Sequence, residues 1–108
     1  MITELIIPIE LIQIDMKAAI LLSFFRRLNP WEQWFSCTQI EIEKLLKMSP
    51  GKQRSAIKIL RKYGFIKTKI SGCPAKQYYE VAHERIDEFI RQRRIDEFIR
   101  QSKKEGVK

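Results

Sequence analysis

The sequence predicts an α+β fold: a three-helix core, then a two-stranded β-hairpin, then a C-terminal helix. Three observations predict it. Up to residue 63 apolar residues recur at helical spacing between cap and stop signals. After Gly64 the period drops to two over FIKTKIS and returns in QYYEVAH. Beyond that the octapeptide RIDEFIRQ, strongly helical in composition, occurs twice, at 85–92 and 94–101. With 108 residues and 44% hydrophobic content, the chain suffices for one small domain with a core and is too short for two.

Residues 4–14 are apolar and β-branched but interrupted by Pro8, which predicts an N-terminal extended arm or edge strand over 1–14. Asp15 then caps a helix over 15–28, with Ala19, Leu22 and Phe25, together with Phe24 and Leu28, at helical spacing, Arg26 and Arg27 suited to its C-terminal end, and Asn29-Pro30 as a stop. WEQWFSC is aromatic and short, and Trp34 to Cys37 fit a brief strand. Thr38 to Glu41 have the form of a capping box, so that a helix follows with Ile42, Leu45 and Leu46 inward. Ser49 offers a second cap and Pro50 the first helical position, where its missing N–H is harmless. The helix over 50–63 ends at Gly64, a residue suited to the left-handed terminator.

The hairpin occupies 65–82. Ile66 re-enters the core, Ser71 to Pro74 supply the turn, and one of Tyr78 and Tyr79 is expected inside with the other half-exposed. The tandem octapeptide covers 84–108 with its flanks. Its copies are nine residues apart, and at about 100° per residue that leaves a half-turn remainder. In one continuous helix, Ile86, Phe89 and Ile90 therefore face away from Ile95, Phe98 and Ile99, so one trio can cover this domain's core while the other needs a different partner. The alternative is a break near Arg93-Arg94.

Charge is distributed very unevenly. Pro50 to Tyr79 hold Lys52, Arg54, Lys58, Arg61, Lys62, Lys67, Lys69 and Lys76 with no Asp or Glu, while the rest of the chain carries 13 Lys/Arg against 13 Asp/Glu. A solvated face ordinarily mixes signs, so a one-sign block predicts a surface for a polyanion.

The stretch TQIEIEKLLKMSPGKQRSAIKILRKYGFIKTKI carries a capped helix, a Met-Ser-Pro turn, a second helix ending in Lys-Tyr-Gly-Phe-Ile, and a basic strand. In this order the elements resemble the winged helix-turn-helix superfamily of DNA-binding proteins, over about residues 15–83. The closest likeness is to small transcription regulators and to winged-helix modules of phage and plasmid replication proteins. The resemblance implies a recognition helix at 50–63 in the major groove and a wing at 65–82 on the backbone or minor groove of double-stranded DNA. Ala56, Ile57 and Leu60 pack this helix inward. Gly51, Lys52, Gln53, Arg54, Ser55, Lys58 and Lys62 are expected on its outer face and N-terminal end. Arg54 suits guanine and Gln53 adenine, while Lys58, Arg61 and Lys62 suit phosphates. Lys67, Lys69 and Lys76 of the wing are expected against backbone.

Other readings are weaker. Trp31, Trp34 and Phe35 could stack on unpaired bases, but their apolar, non-basic setting favours core or dimer packing. His83, the single histidine, fits a helix start. Cys37 and Cys73 lack metal-ligand spacing and are expected as free thiols, Cys73 exposed at the hairpin tip. Glu41 and Glu43 are two apart and share no helix face, so they are no catalytic pair. No nucleophile constellation or phosphate loop is present, so no enzyme, cofactor, metal or small-molecule ligand is expected. The N-terminus lacks the pattern of a secretory signal and no apolar run reaches membrane-spanning length, which implies a cytoplasmic protein, nucleoid-associated when bound to DNA.

The functional expectation is a sequence-specific duplex-DNA-binding protein acting as a dimeric transcriptional regulator. Ile86, Phe89, Ile90, Ile95, Phe98 and Ile99 would serve dimerisation. One module buries only about 600–1,000 Å² on DNA, so a second copy across a two-fold axis raises affinity. A replication-initiation or replisome-loading module, and a protein-interaction winged helix without DNA binding, are the alternatives.

Overall fold

A computed structural model of the chain describes residues 7–30 and 33–106. Within them lie five helices and one three-stranded antiparallel sheet: α1 (Ile9–Ile12), α2 (Met16–Leu28), β1 (Phe35–Ser36), α3 (Gln39–Leu46), α4 (Pro50–Lys62), β2 (Ile66–Ser71), β3 (Lys76–Val81) and α5 (His83–Gly106). The class is α+β, with strand order β1-β3-β2.

The start and stop signals act as their chemistry requires. Asp15 Oδ1 accepts from Ala18 N at 2.9 Å, and Asn29 N donates to Phe25 O to close α2. Thr38 and Glu41 form the reciprocal capping box of α3, with Thr38 Oγ1 accepting from Glu41 N at 3.1 Å. Ser49 caps α4 ahead of Pro50. The chain leaves α4 through Gly64 at φ +74°, a conformation in which a Cβ would be strained. Arg85 fills the space left by the missing Cβ: an atom there would stand 2.7 Å from Arg85 Nε, which donates to Tyr63 O at 2.8 Å. An arginine on α5 thus satisfies a terminal carbonyl of α4, where helix polarity favours a cation.

The core lies between α2, α4, the sheet and the first half of α5. Phe24, Phe25, Leu21 and Leu22 of α2 meet Ala56 and Leu60 of α4, Phe65, Ile66 and Val81 around the hairpin, and Ile86 and Ile90 of α5, all buried. Phe25 stacks near Tyr79 at a 4.7 Å centroid separation and meets Phe35 edge-on at 5.3 Å. Tyr79 is the buried tyrosine of the pair and Tyr78 the half-buried one.

Three expectations are corrected. Residues 9–12 form a helical turn, not a strand or an extended arm. The Pro8 carbonyl accepts from Leu11 N and Ile12 N, a role that requires no N–H of the proline, and the turn delivers Leu11 to the core. Burial of that side chain overrides the β-branched propensity of its neighbours; residues 1–6 lie outside the described residues. Leu45 is 50% exposed, because α3 packs along the single stripe of Ile42 and Leu46. The third correction concerns the assignment of Ile86, Phe89 and Ile90 to dimerisation. The helix α5 runs through Arg93-Arg94 without a break, and the two apolar trios separate as the half-turn remainder requires. Ile86 and Ile90 are buried in this chain's own core, and Phe89 packs edge-on against Phe65 at 5.2 Å and Tyr63 at 5.9 Å. That first trio is therefore unavailable to a partner. Ile95, Phe98 and Ile99 are exposed, Phe98 at 71%. Arg94 pairs with Glu10 of α1 at 3.3 Å, tying the start of the second copy to the body.

Candidate nucleic-acid interface

The basic block folds into α4 and the hairpin, and its cations stay outside the ion pairs of the described residues. Among the described residues, none of Lys52, Arg54, Lys58, Arg61, Lys62, Lys67, Lys69 and Lys76 forms an ion pair with an acid; the pairs that occur are Arg26–Asp87, Arg94–Glu10 and Arg100–Glu97. All eight side chains are exposed. Arg54 and Arg61 lie two helical turns apart on the flank of α4 that faces the hairpin. Gly51, Ser55, Lys58 and Lys62 occupy its outermost face, and Lys52 projects on the other flank.

Arg54, Lys58 and Arg61 line one wall of an open cleft of about 840 Å³, and Thr68, Lys76 and Gln77 of the hairpin line the other. Thr38, Gln39 and Glu41 at the start of α3 close its end. Glu41 is the acid lining the cleft, and its carboxylate is engaged by the hydroxyl and N–H of Thr38 at 3.0 and 3.4 Å. Cys37 and Tyr79 also border the cleft. Burial, reinforced by the Glu41 carboxylate, pushes the Cys37 thiol up to about 11, and burial, reinforced by Cys37, also raises Tyr79. Both are neutral at pH 7, so the cleft owes its charge to the rim of arginines and lysines.

Strand alternation puts the three hairpin lysines on one sheet face, yet of the three only Lys76 lines the cleft. In the register Ile66↔Val81, Thr68↔Tyr79 and Ile70↔Gln77 fall on one side, while Lys67↔Glu80, Lys69↔Tyr78 and Ser71↔Lys76 fall on the other. Lys76 still reaches the cleft because it stands at the turn. Lys67 and Lys69 belong to the opposite sheet surface, where Lys67 lies across from Glu80 and Lys69 Nζ sits 4.3 Å above the Trp34 ring.

Gln53 is the clear correction. It is 1% exposed and points into the protein, not to the outer face. Its Nε2 donates to Met48 O at 2.8 Å and Gln39 O at 3.1 Å, spanning the turn between α3 and α4. The amide sits on the buried stripe one turn from Ala56 and two turns from Leu60. It brackets the angle between the two helices and cannot touch a ligand. Trp34 is corrected in the other direction: 37% exposed, it lies outside the core, while Phe35 is half-buried against it; Trp31 lies outside the described residues. His83 begins α5, its Nε2 2.8 Å from Asn29 O, and so joins the ends of α2 and α5. Cys73 is exposed in the turn and Cys37 is buried.

No protein-family model, curated protein or solved structure matches this chain. Among the described residues no three His, Cys, Asp or Glu side chains gather as metal ligands, and no helix is long and apolar enough to cross a membrane.

Proposed function

We propose that this chain is a winged helix-turn-helix protein that binds duplex DNA, with α4 in the major groove and the hairpin as a wing on the adjacent backbone. The observation that carries the reading is the cleft between α4 and the hairpin, rimmed by Arg54, Lys58, Arg61 and Lys76 with no ion-paired acid to neutralise them among the described residues. A cleft open along one side accepts a phosphate strand, and the outer face of α4 beside it offers Gly51, Ser55 and Lys62 to the groove. Lys52, on the far flank, is suited to a phosphate beyond it. Arg54 at the N-terminal end of α4 is the residue placed for a bidentate contact with guanine, and no adenine contact is assigned to Gln53. The protein acts as a dimeric transcriptional regulator, its two copies joined through Ile95, Phe98 and Ile99, with exposed Ile9 of α1 lining the same groove as Phe98.

The test is duplex binding as a function of salt. About six phosphate contacts give a slope of log K against log salt near −5, and a flat response refutes the proposal. Arg54→Ala is expected to cost about 1–3 kcal/mol on a selected site and little on random duplex, whereas Lys76→Ala weakens both alike.

A further inference from the structure

The outer surface of the sheet carries a second grouping that the duplex reading leaves unused. Successive residues of a strand point to opposite faces, and the pairing Tyr78↔Lys69 sets these two opposite the Thr68, Gln77 and Tyr79 face that lines the cleft. Trp34, just before β1, joins them through its contact with Lys69. Lys69 Nζ lies 4.3 Å from the Trp34 ring centroid and 6.0 Å from that of Tyr78, so one ammonium serves two aromatic rings. Lys67 stands beside it on the same face, with Glu80 as its cross-strand neighbour. An indole 37% exposed on a small protein leaves apolar area in water that the fold itself does not cover.

We propose that Trp34, Tyr78, Lys69 and Lys67 form a platform for single-stranded DNA, separate from the duplex cleft. Unpaired bases require flat aromatic surface, and the phosphates between them require cations at strand spacing. Both are present here. In the free protein Lys69 covers the indole. A phosphate draws the ammonium off the ring, and a base takes its place. The exchange is favourable because a base stacked on an aromatic ring is a stronger contact than a cation over an exposed one. Duplex DNA cannot use the platform, since its bases are already stacked on one another. Charge complementarity argues for nucleic acid over an apolar protein partner: the rings are flanked by two lysines and one glutamate.

The experiment uses the full chain with Trp31→Phe, so that Trp34 is its one tryptophan. It is titrated with an oligothymidine of about twelve nucleotides, following indole emission together with the anisotropy of a labelled strand. Saturable quenching that parallels the anisotropy is the expected result. Trp34→Leu is expected to weaken single-strand binding about tenfold and Trp34→Phe by less than about threefold, with duplex affinity changed less than about twofold in both. Arg54→Ala/Arg61→Ala is expected to do the reverse, so the two sites fail separately. The proposal is overturned if emission stays constant while the strand binds, if Trp34→Leu binds the strand as the parent does, or if it weakens duplex binding equally.

Discussion

Replacing Gln53 with alanine is expected to destabilise the fold and to leave base preference unchanged. The side chain is 1% exposed and its Nε2 is the donor to Met48 O in the turn between α3 and α4. Losing that donor leaves a buried carbonyl unpaired, at about 1–3 kcal/mol. The bond to Gln39 O adds about 1 kcal/mol at most, because that carbonyl sits in the first turn of a helix that can also use it. Against these losses, Gln53 Oε1 is buried with no partner among the described residues, so its removal returns part of the cost. The net is about 2–3 kcal/mol. For a domain of this size each kcal/mol moves Tm by about 4–8 °C, so a fall of about 10–20 °C is expected. Gln53→Leu keeps the volume and also removes the unpaired oxygen, so its loss is expected to be smaller, about 1–2 kcal/mol. Thermal denaturation by circular dichroism measures both. A Tm shift under about 2 °C for the alanine variant refutes the bracket, and a changed preference at one base pair in a stably folded variant would return Gln53 to the interface.

The two copies of RIDEFIRQ offer an internal control: Phe89→Ala is expected to cost about 2–3 kcal/mol in a denaturation curve, and Phe98→Ala under about 0.5 kcal/mol. If the proposed dimer forms through Ile95, Phe98 and Ile99, Phe98→Glu should instead reduce the sedimenting mass, and equal stability effects of the two alanine variants would contradict the division of the repeat. Gly64→Ala is expected to lower stability by about 1–3 kcal/mol, since alanine must take a positive φ and displace Arg85 from Tyr63 O; an unchanged urea midpoint would refute this. Cys37 has its thiol raised to about 11 from an ordinary 9.0, so the unfolded chain loses that proton first as pH rises. Its stabilising contribution is full below pH 9 and falls by on the order of 2 kcal/mol as pH rises toward 11, a loss that Cys37→Ala should reduce in alkaline urea titrations. At neutral pH a thiol reagent should label exposed Cys73 at once and Cys37 only on unfolding, and equal rates would contradict the burial.

Local chemistry was readable in the chain because it acts over three or four residues. The cap at Asp15, the capping box at Thr38 and Glu41, Ser49-Pro50, and Gly64 mark helix ends through bonds within one turn, and each acts at that place. The half-turn remainder of the repeat likewise follows from helix geometry alone. Which trio turns inward does not, because the copies are identical in sequence; the short link through Ala82 from β3 seats the first against Phe65 and Tyr63.

The sequence by itself determined where α2, α3 and α4 begin and end, that the hairpin follows α4, and that the excess charge is confined to α4 and the hairpin. Tertiary structure alone decided which cations act together. Sheet alternation sends Lys69 to Trp34, while the turn brings Lys76 to the cleft with Arg54, Lys58 and Arg61. It also withdrew Gln53 from the surface, because a glutamine reads as polar in a list of residues yet is buried when two backbone carbonyls wait for its amide. Periodicity reports the mean direction of a helix face, and what lies opposite that face is set by elements distant in the chain.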